Sequence, residues 1–427
     1  MEPRKIYIGM VGVLREYGSQ LKAFSLNARL YLLNVIVIGL AMGVFRLLFN
    51  FYILSLGYDE ALLGKLVTTN SLTALIVALP SGYLADRMGR KNSLIGSGIL
   101  SGFSILGMFL WPVVSVFYIT NVLSGMAQSL GAVTMGPFLM ENSGDHERTY
   151  LFSFSSGLQM ASASVGNWIG GFLPTWISVM RYVEPTHSKA YGGAILVVSI
   201  SIFIAILPLI FLKTPRMETN ERSLFTPIQY AAENPGMLTR LILPMLLTSI
   251  GAGLIMPFMN VFYRQVHNQP DPVIGTLFAW GSLAMGIGLL VAPPLAERMG
   301  KIKFVVISQG LSIPFLILLG YAPWFWLSAA SYYVRVALMN MSGPVYQTFV
   351  MEQVDASARA TIASLVSMSW NFGWAFSPMI SGWIQVRYGF GPVFLGTIVF
   401  YLISVWLYYV FFWNKQPVKQ PATLPGD

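Results

Sequence analysis

Polarity along the chain alternates between long apolar stretches and short groups of glycine, proline and charged residues. The stretches fall at about 30–54, 61–81, 92–111, 113–140, 150–173, 191–212, 238–262, 273–294, 304–322, 324–351, 361–384 and 392–413. Each approaches or exceeds the roughly 20 residues that a helix needs to cross a bilayer. The pattern therefore predicts twelve membrane-spanning helices. The first stretch is longer than a signal-peptide core, carries Arg46 and lacks a small-residue cleavage site, so it is expected to be retained as a span.

Composition agrees with a lipid environment. Of the 427 residues 55% are hydrophobic and 10% charged, against about 25% charged in an ordinary soluble domain. The mean hydropathy is +0.64, which excludes a water-soluble enzyme. Twelve spans of about 20 residues use roughly 240, leaving short connections and no room for a sizeable extramembrane domain. Cysteine is absent, which removes disulfides, thiolate nucleophiles and cysteine metal sites. His146, His187 and His267 lie far apart in polar stretches, where exposed loop positions are expected. No metal or other cofactor is expected.

The net charge of +9 acquires meaning from its placement. With the N-terminus inside, nineteen of the 26 Lys and Arg residues fall on the cytoplasmic side. Five (Lys65, Arg181, Lys189, Arg264 and Arg387) fall outside, and Arg46 and Arg335 lie within spans. This positive-inside asymmetry predicts two cytoplasmic termini in a multi-pass protein of the cell membrane. The cations are accounted for by topology and anionic headgroups, with no nucleic acid as a partner.

The sequence also repeats. Leu84-Ala85-Asp86-Arg87-Met88-Gly89-Arg90 recurs as Leu295-Ala296-Glu297-Arg298-Met299-Gly300-Lys301, 211 residues later, with five positions identical and two conserving charge. The same offset relates Glu141 to Glu352, Arg148 to Arg359 and Gly171 to Gly382, while Gly43 and Asn50 match Gly253 and Asn260 at 210. Six spans separate the copies, so the halves cross the membrane in the same sense, as a parallel repeat.

Twelve spans in two halves, with Gly82-Tyr83-Leu84-Ala85-Asp86-Arg87-Met88-Gly89-Arg90-Lys91 between spans two and three, resemble the major facilitator superfamily of secondary transporters, whose loop signature is matched over all ten residues. The resemblance implies an all-α fold of two pseudo-symmetric six-helix bundles. The corresponding division is a cytoplasmic, amphipathic N-terminal segment at 1–29, a first bundle at 30–212, a cytoplasmic linker at 213–237, a second bundle at 238–413 and a cytoplasmic tail at 414–427. It also implies alternating access to a central site. Gly82 and Gly89 would permit a tight turn, and Arg87, Arg90 and Lys91 can reach carboxylates and headgroups. By resemblance Asp86 would face the start of span eleven and Arg90 would pair with Glu141, forming a latch. Glu297, Arg298, Lys301 and Glu352 are the second-half counterparts.

Ionisable residues inside spans are the remaining signal. An arginine at mid-helix costs about 2.5–3.5 kcal/mol on insertion scales, so Arg46 and Arg335 should face a cavity. Arg46 lies about eight residues from the outer end of its span and Arg335 about eleven, roughly 12 and 17 Å of rise, so both could address one ligand from opposite halves. Arg46 shares a helical face with Gly39, Gly43 and Asn50, a stripe suited to lining water. Asn121, Gln128, Gln159, Asn167, Asn260, Trp370, Asn371 and Trp374 are further candidates, each equally able to serve as interhelical glue.

Two departures from the family pattern bear on substrate. Asn121 stands where many members carry arginine four residues before a glycine, and Gly166-Asn167-Trp168-Ile169-Gly170-Gly171 lacks the proline typical of drug/proton antiporters. No carboxylate falls mid-span. The resulting expectation is a monomeric, non-enzymatic transporter of a small or amphiphilic organic solute, with an anion favoured. Lipids are its other partners, and a coupling ion is left open. A multidrug exporter is the alternative within transport, and a polytopic receptor or enzyme is disfavoured for want of a catalytic cluster.

Overall fold

The computed structural model describes residues 24–213, 235–354 and 359–413. Most of the N-terminal segment, the linker and the tail, with Arg4, Glu218 and Asp427, lies outside the described residues. Within them the chain is helical, in twelve long spans. These are Leu26–Ser55, Glu60–Met88, Arg90–Leu110, Val114–Glu141, Asp145–Arg181 and Ser188–Ile210 in the first half. The second half has Pro235–Gln265, Asp271–Met299, Lys301–Tyr321, Phe325–Glu352, Arg359–Tyr388 and Phe390–Phe412. Nine of these described helices are long and apolar enough to cross a membrane by composition. Spans five, ten and eleven fall short, because serine, asparagine and charged residues interrupt their apolar runs.

Two findings revise the reading of boundaries. Span two continues as helix to Met88, so Gly82 is an interior helical residue and not part of a turn. Only Gly89 breaks the path, at φ 83°, and its repeat partner Gly300 does so at φ 85°, a left-handed conformation that costs glycine nothing. Span seven is interrupted: helix gives way to a 3-10 turn at Met256–Phe258 and resumes at Met259–Gln265. Pro257 explains the break, since it has no N–H to donate to the preceding turn.

The chain divides into two compact units. Among the described residues, unit one takes 24–58, 76–213 and 270–279; unit two takes 59–75, 235–269, 280–354 and 359–413. In unit one, span one packs on spans five and six, and span three on spans four and six. Unit two repeats this pattern six spans later: seven on eleven and twelve, nine on ten and twelve.

Small residues set these contacts. A Cβ on Gly39 would stand 2.7 Å from Ser162 Cβ, and one on Gly43 3.0 Å from Gly166 Cα. A Cβ on Gly166 would run into the Leu40 carbonyl. The Gly39–Gly43 stripe is thus a backbone-to-backbone seam with span five, and does not line water as its small residues suggested. Small side chains let helices approach closely enough for dispersion to replace the missing hydrophobic drive in lipid.

One histidine departs from expectation. His187 is exposed and its Nδ1 accepts from Lys189 N at the start of span six; the side chain of His146 lies outside the described residues. His267 is half-buried against the rings of Phe262, Tyr263 and Phe325, at 5.3, 5.7 and 6.1 Å. Burial lowers its pKa below the usual value. The folded chain therefore binds the proton less readily than the unfolded chain, so this contribution to stability is complete above about pH 6.5 and declines as pH falls through that value. His267→Gln should flatten the loss of melting temperature between about pH 7 and pH 5. An unchanged loss would show that folding leaves the pKa of this imidazole where it is in the unfolded chain.

Candidate functional site

Unit one presents Arg46 on span one. Leu47, Leu48, Phe49 and Asn50 beside it are buried, whereas Arg46 is exposed at mid-span. Its guanidinium makes no hydrogen bond or ion pair among the described residues. Gln159, on the facing edge of span five, is also exposed, as is Gln128 on span four. Asn50 and Asn121 are 4% and 5% exposed, and Asn121 Nδ2 donates to Phe117 O at 2.8 Å within its own helix. These two amides are interior groups of the unit and not part of an open surface.

Unit two holds Arg335 on span ten. It is 2% exposed. Nη2 donates to Tyr401 OH at 3.0 Å, the guanidinium carbon lies 5.5 Å from the Tyr401 ring centre, and Nη1 approaches Met256 Sδ at 3.9 Å. Arg335 Nε is buried with no partner among the described residues. Tyr401 reaches this place because span seven carries Gly251 there, where a Cβ would come within 2.8 Å of the tyrosine ring. Asn260 is buried and its Oδ1 accepts from Val261 N at 2.9 Å. Trp370 is 36% exposed and its carbonyl accepts from Ser249 Oγ. Trp374 Nε1 is a second buried donor lacking a partner among the described residues. Asn50, Asn121 and Asn260, readable as cavity residues from sequence, are buried here, as Arg335 is.

Where spans two, three and four meet their connections, Arg90 joins two acids of unit one: Nε to Glu141 Oε1 at 3.0 Å and Nη1 to Asp86 Oδ1 at 2.6 Å. Lys91 Nζ caps the end of span six, donating to Ile210 O at 2.5 Å and Leu212 O at 2.9 Å. In unit two Lys301 pairs with Glu352, and Glu297 is exposed without an ion pair among the described residues. The difference follows from chemistry: a guanidinium forks to two carboxylates where an ammonium offers one point. Arg87 and Arg298 are exposed.

Tyr401 and Met256, which hold Arg335, carried no mark in the sequence, because a tyrosine or methionine in an apolar run reads as core. Of the two, Met256 was the more findable, since it adjoins Pro257.

A helical, multi-pass membrane protein made of two repeats, with cations in its spans and ion pairs at their ends, is the architecture of a solute transporter. The profile of the Major Facilitator Superfamily matches residues 31–268 and again 241–424, and the chain belongs to that family. It is 22% identical over 386 residues to an uncharacterised MFS-type transporter, YxaM, of Bacillus subtilis (strain 168), covering 87% of this chain and 92% of that one. It is 23% identical over 403 residues to the class H tetracycline resistance protein of Pasteurella multocida, covering 88% and 93%. Among solved structures, the nucleoside transporter NupG superposes with a TM-score of 0.74 at 15% identity, covering 92% of this chain and 100% of that one. The last likeness concerns the fold.

Proposed function

We propose that this transporter carries a small or amphiphilic organic anion by alternating access, with Arg46 as the residue that recognises its negative group. The observation that carries this reading is the exposed guanidinium at mid-span, unpaired among the described residues. A charge at that depth is expensive unless it meets a counter-charge. No Asp or Glu falls in the central turns of any described span. The counter-charge is then supplied by the solute, and a guanidinium suits carboxylate or phosphate through paired N–H bonds. Arg335, with one unused donor, is the second cation assigned to the anion. Gln159, Trp370 and Trp374 are assigned to the solute's polar and apolar parts. The chain is assigned to the cell membrane, with both termini cytoplasmic. Uptake into proteoliposomes tests this: anionic solutes should accumulate or exchange, while matched neutral and cationic ones should not.

The names of several relatives, among them the quinolone resistance protein NorA of Staphylococcus aureus at 21% identity, support a second reading, drug export. Transport of cationic drugs with indifference to organic anions would favour it.

The Asp86–Arg90–Glu141 cluster is assigned to gating. Arg90→Ala or Asp86→Asn should reduce turnover several-fold while leaving affinity within about twofold, because gate contacts act on the conformational step. Transport at the wild-type rate in both variants would remove the cluster from the gate.

A further inference from the structure

Among the described residues two charged side chains are less than a tenth exposed, Arg335 and Asp271. Arg335 belongs to the site above; Asp271 has no role there. It opens the first turn of span eight, and Pro270–Ala279 is the part of that span that belongs to unit one. This segment crosses span five backbone against backbone. A Cβ on Gly171 would stand 2.7 Å from Asp271 O, and one on Gly275 2.6 Å from Asn167 O. Ser164 Oγ donates to Ala279 O at 2.9 Å. At the head of the crossing, Tyr191 of span six, itself fully buried, donates its hydroxyl to Asp271 Oδ2 at 2.7 Å.

The 211-residue offset of the repeat places Glu60 opposite Asp271, Gly64 opposite Gly275 and Gly171 opposite Gly382. The related crossing exists in unit two. A Cβ on Gly64 would meet the Pro378 carbonyl, one on Gly382 the Glu60 carbonyl, and Met379 N donates to Thr68 Oγ1 at 3.1 Å. Its head acid is held differently. Glu60 is bonded by Gln265, whose side chain is exposed. One ancestral crossing has thus become a buried hydroxyl–carboxyl bond in one unit and a surface amide–carboxyl bond in the other. A hydrogen bond to a carboxyl group is worth more where water cannot compete for it.

We propose that the Tyr191–Asp271 bond is a one-sided lock: it holds the first turn of span eight against spans five and six, and its release limits how often that crossing opens, whereas the Glu60 crossing opens freely. The proposal is independent of the solute's charge, and its test involves no solute. The natural chain has no cysteine, so single reporters can be placed at Ile274 and at its repeat partner Leu63, both fully buried. Maleimide labelling of each is followed in nanodiscs, which leave both faces accessible. Tyr191→Phe and Asp271→Asn should each accelerate labelling of the Ile274→Cys reporter by about tenfold or more, the factor for losing one buried bond to a carboxyl group. Glu60→Gln should change labelling of the Leu63→Cys reporter by less than about threefold, as an exposed polar pair allows. Melting curves establish that the compared proteins are folded, and Tyr191→Phe keeps the ring that packs 6.2 Å from Phe51. Less than about threefold acceleration at Ile274 in the Tyr191→Phe protein, or an equal acceleration by Glu60→Gln at Leu63, overturns the lock.

Discussion

An Arg46→Gln transporter is expected to bind its anion at least about thirtyfold more weakly, the factor for losing about 2 kcal/mol of a desolvated charge pair. Glutamine keeps much of the length and some donors, so the loss reports charge and fork geometry. Arg46→Lys should fall between the two, retaining the charge while giving up the paired N–H contact. The same substitution at Arg335 should cost less, because Tyr401 and Met256 already engage that guanidinium. Equilibrium binding of a radiolabelled anion to the purified variants measures all three, and equal affinity in wild type and Arg46→Gln would take Arg46 out of the site.

The second large effect is on folding. Gly166→Ala places a methyl group into the Leu40 carbonyl and 3.1 Å from Gly43 Cα, where neither helix has a flexible side chain to give way. Overpacking of this kind costs about 1–3 kcal/mol, and here the whole seam between spans one and five must part to relieve it. The expected outcome is a lower melting temperature in detergent and a several-fold fall in folded yield. Gly136→Ala, at a helical position with nothing within 4 Å, should melt like wild type. If the two variants melt alike, the seam is looser than its distances imply.

The fold was legible because a span must be long and apolar, and because two copies of one motif fix the repeat. Spans five, ten and eleven fall below the apolar threshold as described helices, yet their apolar runs were still readable between charged ends. What the sequence hid was which face of a helix meets which neighbour. Gly39 and Gly43 looked like a water-lining stripe beside Arg46, since small residues serve equally at a cavity and in a close seam; the carbonyls of span five decide for the seam. Gly82 looked like part of a loop because its motif is rich in charge, but Leu84–Met88 continue the helix of span two and leave the turn to Gly89. The cations were legible, and so was the pair of Arg90 and Glu141, a base and an acid at matching span ends; the partners Tyr401 of Arg335 and Tyr191 of Asp271 were not, being single hydroxyls in apolar runs. Asp271 could have been singled out, because the repeat offset pairs it with Glu60 and both stand four residues before a glycine.

Whether the mid-span charge of Arg46 is met by the solute is settled most directly by competition binding on the unmodified protein. Anionic, neutral and cationic members of one solute series, matched in size and apolar area, are titrated against a bound radiolabelled ligand. The anion should displace it at concentrations well over tenfold below those of its neutral and cationic analogues, with the margin shrinking as ionic strength rises. Preferential displacement by the cation, or equal displacement by all three, would contradict an anion as the natural guest.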